Sequence, residues 1–356
     1  MKIKPWVLPL LGIMVISVAC NVPIDPFVPG GREKVINYGN SIIMLKADNF
    51  AYDYSKAFPP ASHPAKLNYR IVPPLIAKML GIHMLRKAEF LAYLLLCSCL
   101  FYFLYNRESW QVAFLTTLAM VCTSSGACYF NDWGHVCDVF AHALIAVSLL
   151  SFHPAVVIVV TALAVLTDER AVLLLPVAMG VAAMLRGRQQ SLYYAYGLAL
   201  YGAIRLILYF AYYNHPTDYR QIGSWDIILA NLRMLPTVVW SSLEGGWILV
   251  IGTAVLIFRL SKMTAILLVS WAVLGASLSA CVLDMTRSAS YQIFLPVLCI
   301  VLLQHHSIKH RTILSLSASA AVVSIICPNS LFIAGYIDEW QWPFSGVAKA
   351  LSLILP

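Results

Sequence analysis

The chain has 356 residues, of which 60% are hydrophobic and only 11% charged, with a mean hydropathy of +0.78. Soluble domains carry about 45–50% apolar and about 25% charged residues, and a folded chain of this size has no interior large enough to hide the excess. A cytosolic enzyme, a nucleic-acid binder and a secreted disulfide scaffold are excluded, which leaves an all-α polytopic membrane protein. The net charge of +8 is then first a sidedness signal, because Lys and Arg collect in short cytoplasmic loops.

Residues 1–20 carry Lys2 and Lys4 before an apolar run, in the manner of a signal peptide. Ser17-Val18-Ala19-Cys20 hints at a lipoprotein site, but Ser17 stands where a branched apolar residue is wanted. The expectation is an uncleaved first span, 1–22, with its N-terminus inside.

Residues 23–87 form the one long outer loop, with Asp25, Asp48, Asp53, His63, Lys66 and Arg70. Pro26, Pro29, Gly30, Gly31, Pro59 and Pro60 argue for irregular backbone. A long loop over a bundle mouth is usually functional. Its last stretch, 67–87, is interrupted by Pro73-Pro74 and intersperses Arg70, Lys78, Arg86 and Lys87 among apolar residues, as an interfacial amphipathic helix does.

Further apolar runs lie at about 88–105, 110–128, 138–152, 154–167, 171–185, 192–213, 246–258, 264–282, 288–303 and 312–334. With the first span they predict about eleven crossings, the helical bundle itself occupying 88–334 and an interfacial tail 335–356. Several are shorter than the roughly 20 residues a straight crossing needs, which suits a thinned bilayer or a cavity entered from one side. The short inner loops then hold Arg107, Arg186, Arg188, Arg259, Lys262, Lys309 and Arg311, with Glu108 the single inner acid among 16. The outer turns hold Asp132, Asp138, Asp168, Glu169 and Asp284.

Nine cysteines form no framework, since most lie in or beside apolar runs as small packing residues. Cys128 and Cys137 bracket a short polar turn, and nothing in the sequence supports a disulfide between them.

Acids at the ends of spans are expensive unless they meet water or a partner. Thr167-Asp168-Glu169-Arg170 closes one span and opens the next, so Asp168 or Glu169 is a candidate for binding a sugar hydroxyl or a cation, against a solvated turn with Arg170 as neighbour. Asp132, His135 and Asp138 are spaced three apart, with His142 four beyond Asp138. On a helix Asp138 and His142 share a face, which suits a divalent cation or an acid–base pair, against a polar turn with one structural pair. Arg287 stands at the outer end of a span, where its planar fork matches phosphate oxygens unless Asp284 holds it. Arg205 lies in a tyrosine-rich span, and an arginine at that depth is a functional candidate, with snorkelling the alternative. No Gly-rich phosphate loop, GxSxG or Cys-x-x-Cys occurs.

Several separated pieces together resemble the GT-C superfamily of polytopic glycosyltransferases, above all its small bacterial members. Asp48-Asn49-Phe50-Ala51-Tyr52-Asp53-Tyr54 is similar to the acidic-aromatic segment of their first outer loop. Tyr69-Arg70-Ile71-Val72-Pro73-Pro74 is similar to the surface-helix segment after it, and the run from Leu166 through Asp168-Glu169-Arg170 to Pro176 to their acid-then-aliphatic-then-proline span start. Asp284-Met285-Thr286-Arg287 with Phe294-Leu295-Pro296 resembles a late span of the same kind.

The resemblance implies a polyprenyl-phosphate-linked sugar as donor, used at the outer face of the bacterial inner membrane, and a glycan or lipid as acceptor. It implies Asp53 or Asp48 as general base, and Arg287, Arg70 or Arg205 at the lipid-phosphate leaving group. The chain departs from the family in lacking a clean Asp-x-Asp or Asp-Glu pair in the first loop and a large soluble C-terminal domain. No organic cofactor is implied, and the sequence leaves metal dependence open. Membrane lipids are expected partners and nucleic acid is not. A lipid-linked glycan transporter or flippase, and a polymerase or assembly partner, are the competing expectations.

Overall fold

The computed structural model describes residues 6–21, 31–54, 64–123, 125–126, 137–213, 225–279, 281, 288–327, 329–333 and 336–341. α1 (Val7–Asn21) is followed by α2 (Gly31–Asp48), a 3-10 helix at Pro64–Tyr69 and the short α3 (Val72–Leu80). Then come α4 (Ile82–Tyr105), α5 (Trp110–Val121), α6 (Asp138–Leu150), α7 (Pro154–Thr167), α8 (Leu175–Arg186) and α9 (Arg188–Leu208). A 3-10 helix at Glu169–Leu174 joins α7 to α8, and α9 widens into a π turn at Tyr209–Tyr213. α10 (Trp225–Leu232), α11 (Leu235–Leu243), α12 (Gly246–Phe258), α13 (Lys262–Ser279), α14 (Leu295–His305) and α15 (His310–Ile326) complete the α-helices among the described residues. A small antiparallel hairpin, β1 (Asn329–Ile333) with β2 (Tyr336–Gln341), follows.

Local chemistry sets these boundaries. α3, α7, α8, α11 and α14 each carry proline in the first turn, where its missing N–H costs nothing and its fixed φ is already helical. Gly81 at φ 86° and Gly187 at φ 88° separate α3 from α4 and α8 from α9, in a region that L side chains avoid. The Ser109 hydroxyl caps α5 by accepting from the Val112 N–H.

The class is helical, as the composition requires, and each apolar run contains a helix, although the last, 312–334, leaves helix at Ile326 and its residues 329–333 form β1. By length and composition, α4, α9 with its π turn, and α13 are able to cross a membrane. α11 and α12, bent by 87° at their junction, make a fourth if taken as one broken span. The shorter apolar helices have 10–17 residues, and even 17 residues reach only about 26 Å against a hydrocarbon core of about 30 Å. Large apolar side chains nonetheless face outward along them, including Leu8, Leu11 and Val15 on α1 and Val322 and Ile326 on α15.

The first loop differs from the irregular backbone its prolines suggest. Those prolines and glycines flank α2, whose Ile42, Ile43, Lys46 and Ala47 recur at helical spacing on one buried face. α3 has nine residues, about 14 Å, too short to cross a bilayer. It buries Val72, Pro73, Pro74 and Ala77 and exposes Leu75, Met79 and Leu80. α4 begins at Ile82, earlier than its apolar run, because its polar start is neutralised. Arg86 pairs with the buried Glu89 at 3.0 Å, and the Cys137 thiol donates to the same carboxylate at 3.0 Å. Cys128 lies outside the described residues.

Small and hydroxylated residues let the helices approach. A side chain at Gly197 of α9 would meet Thr161 of α7 at 2.6 Å. Thr116 of α5 donates to Ser317 of α15 at 3.0 Å, and Ser324 donates to the Ala119 carbonyl at 3.0 Å.

The charges segregate to two ends of the bundle. At one end Gln304 donates to the Arg107 carbonyl and to Glu108, Glu108 meets His310 at 2.9 Å, and Arg186 donates to the Ser151 and Leu149 carbonyls. At the other end the first loop, the start of α6, the 168–170 turn and the end of α9 come together.

Gly245 has an ordinary helical φ, but a side chain there would lie 1.9 Å from the Ala320 carbonyl oxygen of α15. Gly245→Ala should therefore cost about 1–3 kcal/mol by forcing α12 off α15. Gly202→Ala, which meets nothing within 4 Å, should be neutral or slightly stabilising. Thermal unfolding of both variants in detergent checks this, and equal melting temperatures would contradict the packing described.

Candidate functional site

The site is built on the 168–170 turn. Asp168 ends α7 and is fully buried. Its carboxylate caps the following 3-10 helix by accepting from the Arg170 N–H at 2.9 Å. The same carboxylate takes the Arg170 guanidinium at 2.7 and 3.0 Å, and Arg70 from the first loop at 2.8 Å. Arg70 also donates to Glu169 at 3.0 Å. Arg170 reaches on to Asp138 at 3.3 Å and to the Ser288 hydroxyl at 3.2 Å. Two arginines thus share one buried carboxylate and tie the first loop to α6, α7 and the segment before α14. A backbone bond from the Ile71 N–H to the Leu166 carbonyl, 3.1 Å, fixes the register of that tie.

Asp138 and His142 share a face of α6, but they are not partners in an acid–base pair. Asp138 accepts from Arg170 and from the Tyr291 hydroxyl, each at 3.3 Å. His142 is fully buried, both ring nitrogens lack a hydrogen-bond partner, and its ring lies 4.8 Å from that of Tyr291. Among the described residues no group of three or more His, Cys, Asp or Glu side chains is arranged to hold a metal ion. Asp132, His135 and Arg287 lie outside the described residues.

A second cluster adjoins the first through Tyr69. Asp53 is buried, and Asn68 donates to its carboxylate at 2.9 Å while accepting from the Tyr54 N–H at 2.9 Å. Arg205 of α9 places its guanidinium carbon 4.2 Å above the Tyr69 ring and donates to the Tyr201 hydroxyl. Tyr69 in turn meets Tyr213 edge to face at 5.4 Å. Asp48, at the end of α2, is exposed.

Lys46 is the residue that sequence reasoning missed. It is fully buried, donates to the Tyr52 carbonyl at 3.0 Å and to the Tyr213 hydroxyl, and lies over the Tyr213 ring at 4.2 Å. Burial pulls its pKa down from 10.5 to about 7, against the pull of Asp53, whose charge favours the ammonium. The signal was present in the chain, since Lys46 falls four residues after Ile42 and three after Ile43 on one helical stripe. Asn68 and Tyr213 carried no such signal, being placed by contacts made across the chain.

The arrangement offers buried carboxylates held by cations and amides, with arginine and tyrosine beside them. Such a surface binds hydroxylated ligands through its carboxylates and phosphate oxygens through its guanidinium groups.

Asp168→Asn leaves Arg70 and Arg170 short of a shared buried anion and should cost about 3–5 kcal/mol, measured by denaturant unfolding in detergent. Lys46 makes a separate prediction. Between about pH 7 and 10.5 the unfolded chain holds a proton on this amine that the folded chain does not. Stability from this group therefore rises with pH through that window, and below it the cost of burying the charge is fully present. Wild type compared with Lys46→Met should gain relative stability from about pH 7 to about pH 10, and a flat difference would contradict the buried amine. No protein-family model, curated protein or solved structure matches this chain.

Proposed function

We propose that the chain is a GT-C-like glycosyltransferase of the bacterial inner membrane. In this reading its eleven apolar helices cross a locally thinned bilayer, the N-terminus is cytoplasmic, and the acid-bearing end faces outward. The donor is a polyprenyl-phosphate-linked sugar and the acceptor a hydroxyl of a cell-surface glycan or lipid. The observation that carries this reading is the convergence of a first-loop carboxylate, Asp53, with Arg70, Arg205, Asp168 and Glu169 at one end of the bundle.

The chemistry follows from what each group does. Asp53 takes the proton of the acceptor hydroxyl as its oxygen bonds to the anomeric carbon. The bond from that carbon to the phosphate oxygen breaks, and its electron pair leaves on the lipid phosphate. Arg205, close to the apolar span and stacked on Tyr69, meets the developing charge, with Arg70 behind it. Cations fixed in advance lower the barrier most when charge appears in a water-poor site. Glu169 is the second candidate base. Its Oε2 is held by Arg70, and its Oε1 has no hydrogen-bond partner.

A second reading has its own support. The 87° break between α11 and α12 centres on Glu244, which is fully buried and sits at φ 45°, a conformation that non-glycine residues rarely adopt. Broken helices bearing buried acids are also a transporter device. Flux of a lipid-linked glycan in proteoliposomes without a covalent product would favour that reading over transfer.

Sugar transfer by purified Asp53→Asn should fall about 10²–10⁴-fold, since a positioned base contributes that much. Asp48→Asn should stay within a few-fold of wild type. Full activity in both Asp53→Asn and Glu169→Gln would overturn the mechanism. Mass spectrometry of cell-envelope glycans with and without the protein should differ by one sugar.

A further inference from the structure

The first loop has to be held over the end of the bundle for Asp53 to face anything, and Lys46 is the group that holds it. Its ammonium bonds the Tyr52 carbonyl, one residue before Asp53, and the Tyr213 hydroxyl at the end of α9. Tyr213 donates that hydroxyl's proton to the Phe50 carbonyl at 3.3 Å, so one lysine and one tyrosine close both sides of the 50–54 segment. The ammonium also lies 5.4 Å from the Tyr54 ring, while the Tyr54 hydroxyl donates to the Ile42 carbonyl one turn earlier on α2. When charged, the amine is drawn to the negative faces of both rings.

We infer that Lys46 is a positioning residue whose side-chain amine latches the 49–54 segment to the end of α9 and so fixes Asp53. In its role toward catalysis this rests on the transfer reaction proposed above; as a latch it does not.

The cost argues for a purpose. A lysine with no exposed surface pays to be charged, and an apolar side chain of similar length would fill the space without that cost. The titratable and charged groups facing it are few. From the first loop they are Tyr52, Asp53 and Tyr54, and burial keeps the Tyr54 phenol above its ordinary range. Tyr69 and Tyr213 approach from the 3-10 helix at Pro64–Tyr69 and from the π turn that follows α9, and Lys78 of α3 stands behind Phe50, 4.8 Å from its ring. Among the described residues Asp53 is the carboxylate whose charge acts on the amine. Burial lowers the pKa of this amine from 10.5 to about 7 in the latched state, so raising the pH through that window favours the latched state.

Two measurements test this on the full-length protein in detergent. The first is hydrogen–deuterium exchange of peptides covering 42–54 and 205–213, corrected for intrinsic rates, from about pH 6 to about pH 9. Wild type should hold or gain protection in both peptides together as pH rises past about 7, because the latched state binds fewer protons than the open one. Lys46→Arg, which stays charged, should lack that gain, and Lys46→Met, which bonds neither oxygen, should be less protected than wild type at the highest pH. Tyr213→Phe, which keeps the ring and loses the hydroxyl, should lie between. Wild-type protection that falls above about pH 7, or Lys46→Met matching wild type at every pH, overturns the latch. The second is sugar transfer over the same pH range. Lys46→Met should be about 10²-fold slow at every pH, and Lys46→Arg, which still donates to both oxygens, should recover part of that loss. Wild-type protein that transfers no sugar overturns the proposed function, while the exchange data judge the latch independently.

Discussion

A carboxylate with no exposed surface cannot stay charged in an apolar bundle unless cations come to it, and Asp168 draws two. Arg170 arrives from the next turn of the same chain, and Arg70 comes from nearly a hundred residues earlier. Because each guanidinium has further hydrogen-bonding groups, the demand spreads outward to Glu169, Asp138 and Ser288. The position of α3 along the bundle, the approach of the first loop and the orientation of the α6 N-terminus all follow from satisfying this one buried charge. Removing any member leaves another exposed to a medium that cannot solvate it.

The second cluster is bound by different means. Around Lys46 and Arg205 the partners are tyrosine rings, hydroxyls and backbone carbonyls, with Asp53 as the carboxylate. Such contacts are softer than the ion pairs at Asp168 and depend on the protonation of one amine. The two clusters meet at Tyr69 and Arg70, adjacent residues that turn opposite ways, Tyr69 to α9 and Arg70 to the 168–170 turn. The ionic cluster at Asp168 thus adjoins a tyrosine-lined one around Lys46 and Arg205.

Much of the helical framework was legible because its signals are local. Prolines in first turns, Gly81 and Gly187 at left-handed φ, and apolar runs such as 154–167 and 246–258 each act within a few residues, and the helices begin and end beside them. Where a signal was weak the expectation slipped. The charged Arg86, Lys87 and Glu89 masked the true start of α4, and the flanking prolines of the first loop masked α2 between them. In both places polar residues are reconciled with helix by partners from elsewhere, Cys137 for Glu89 and Tyr213 for Lys46.

The sequence by itself determined the apolar character of this protein and its helical class, since these depend on composition and on residue types a few positions apart. It also marked Asp53, Arg70, Asp138, Asp168, Glu169 and Arg205 as charges worth explaining, because charge is scarce in such a chain. Only the tertiary structure decided which of them meet. It joined Arg70 to Asp168 and Glu169, turned Asp138 away from His142 toward Arg170, left Asp48 in the open and drew Lys46 into the interior. The physical reason is that pairing a buried charge is settled by distance in space. Two residues nearly a hundred positions apart carry no mutual signal until the helices between them have packed.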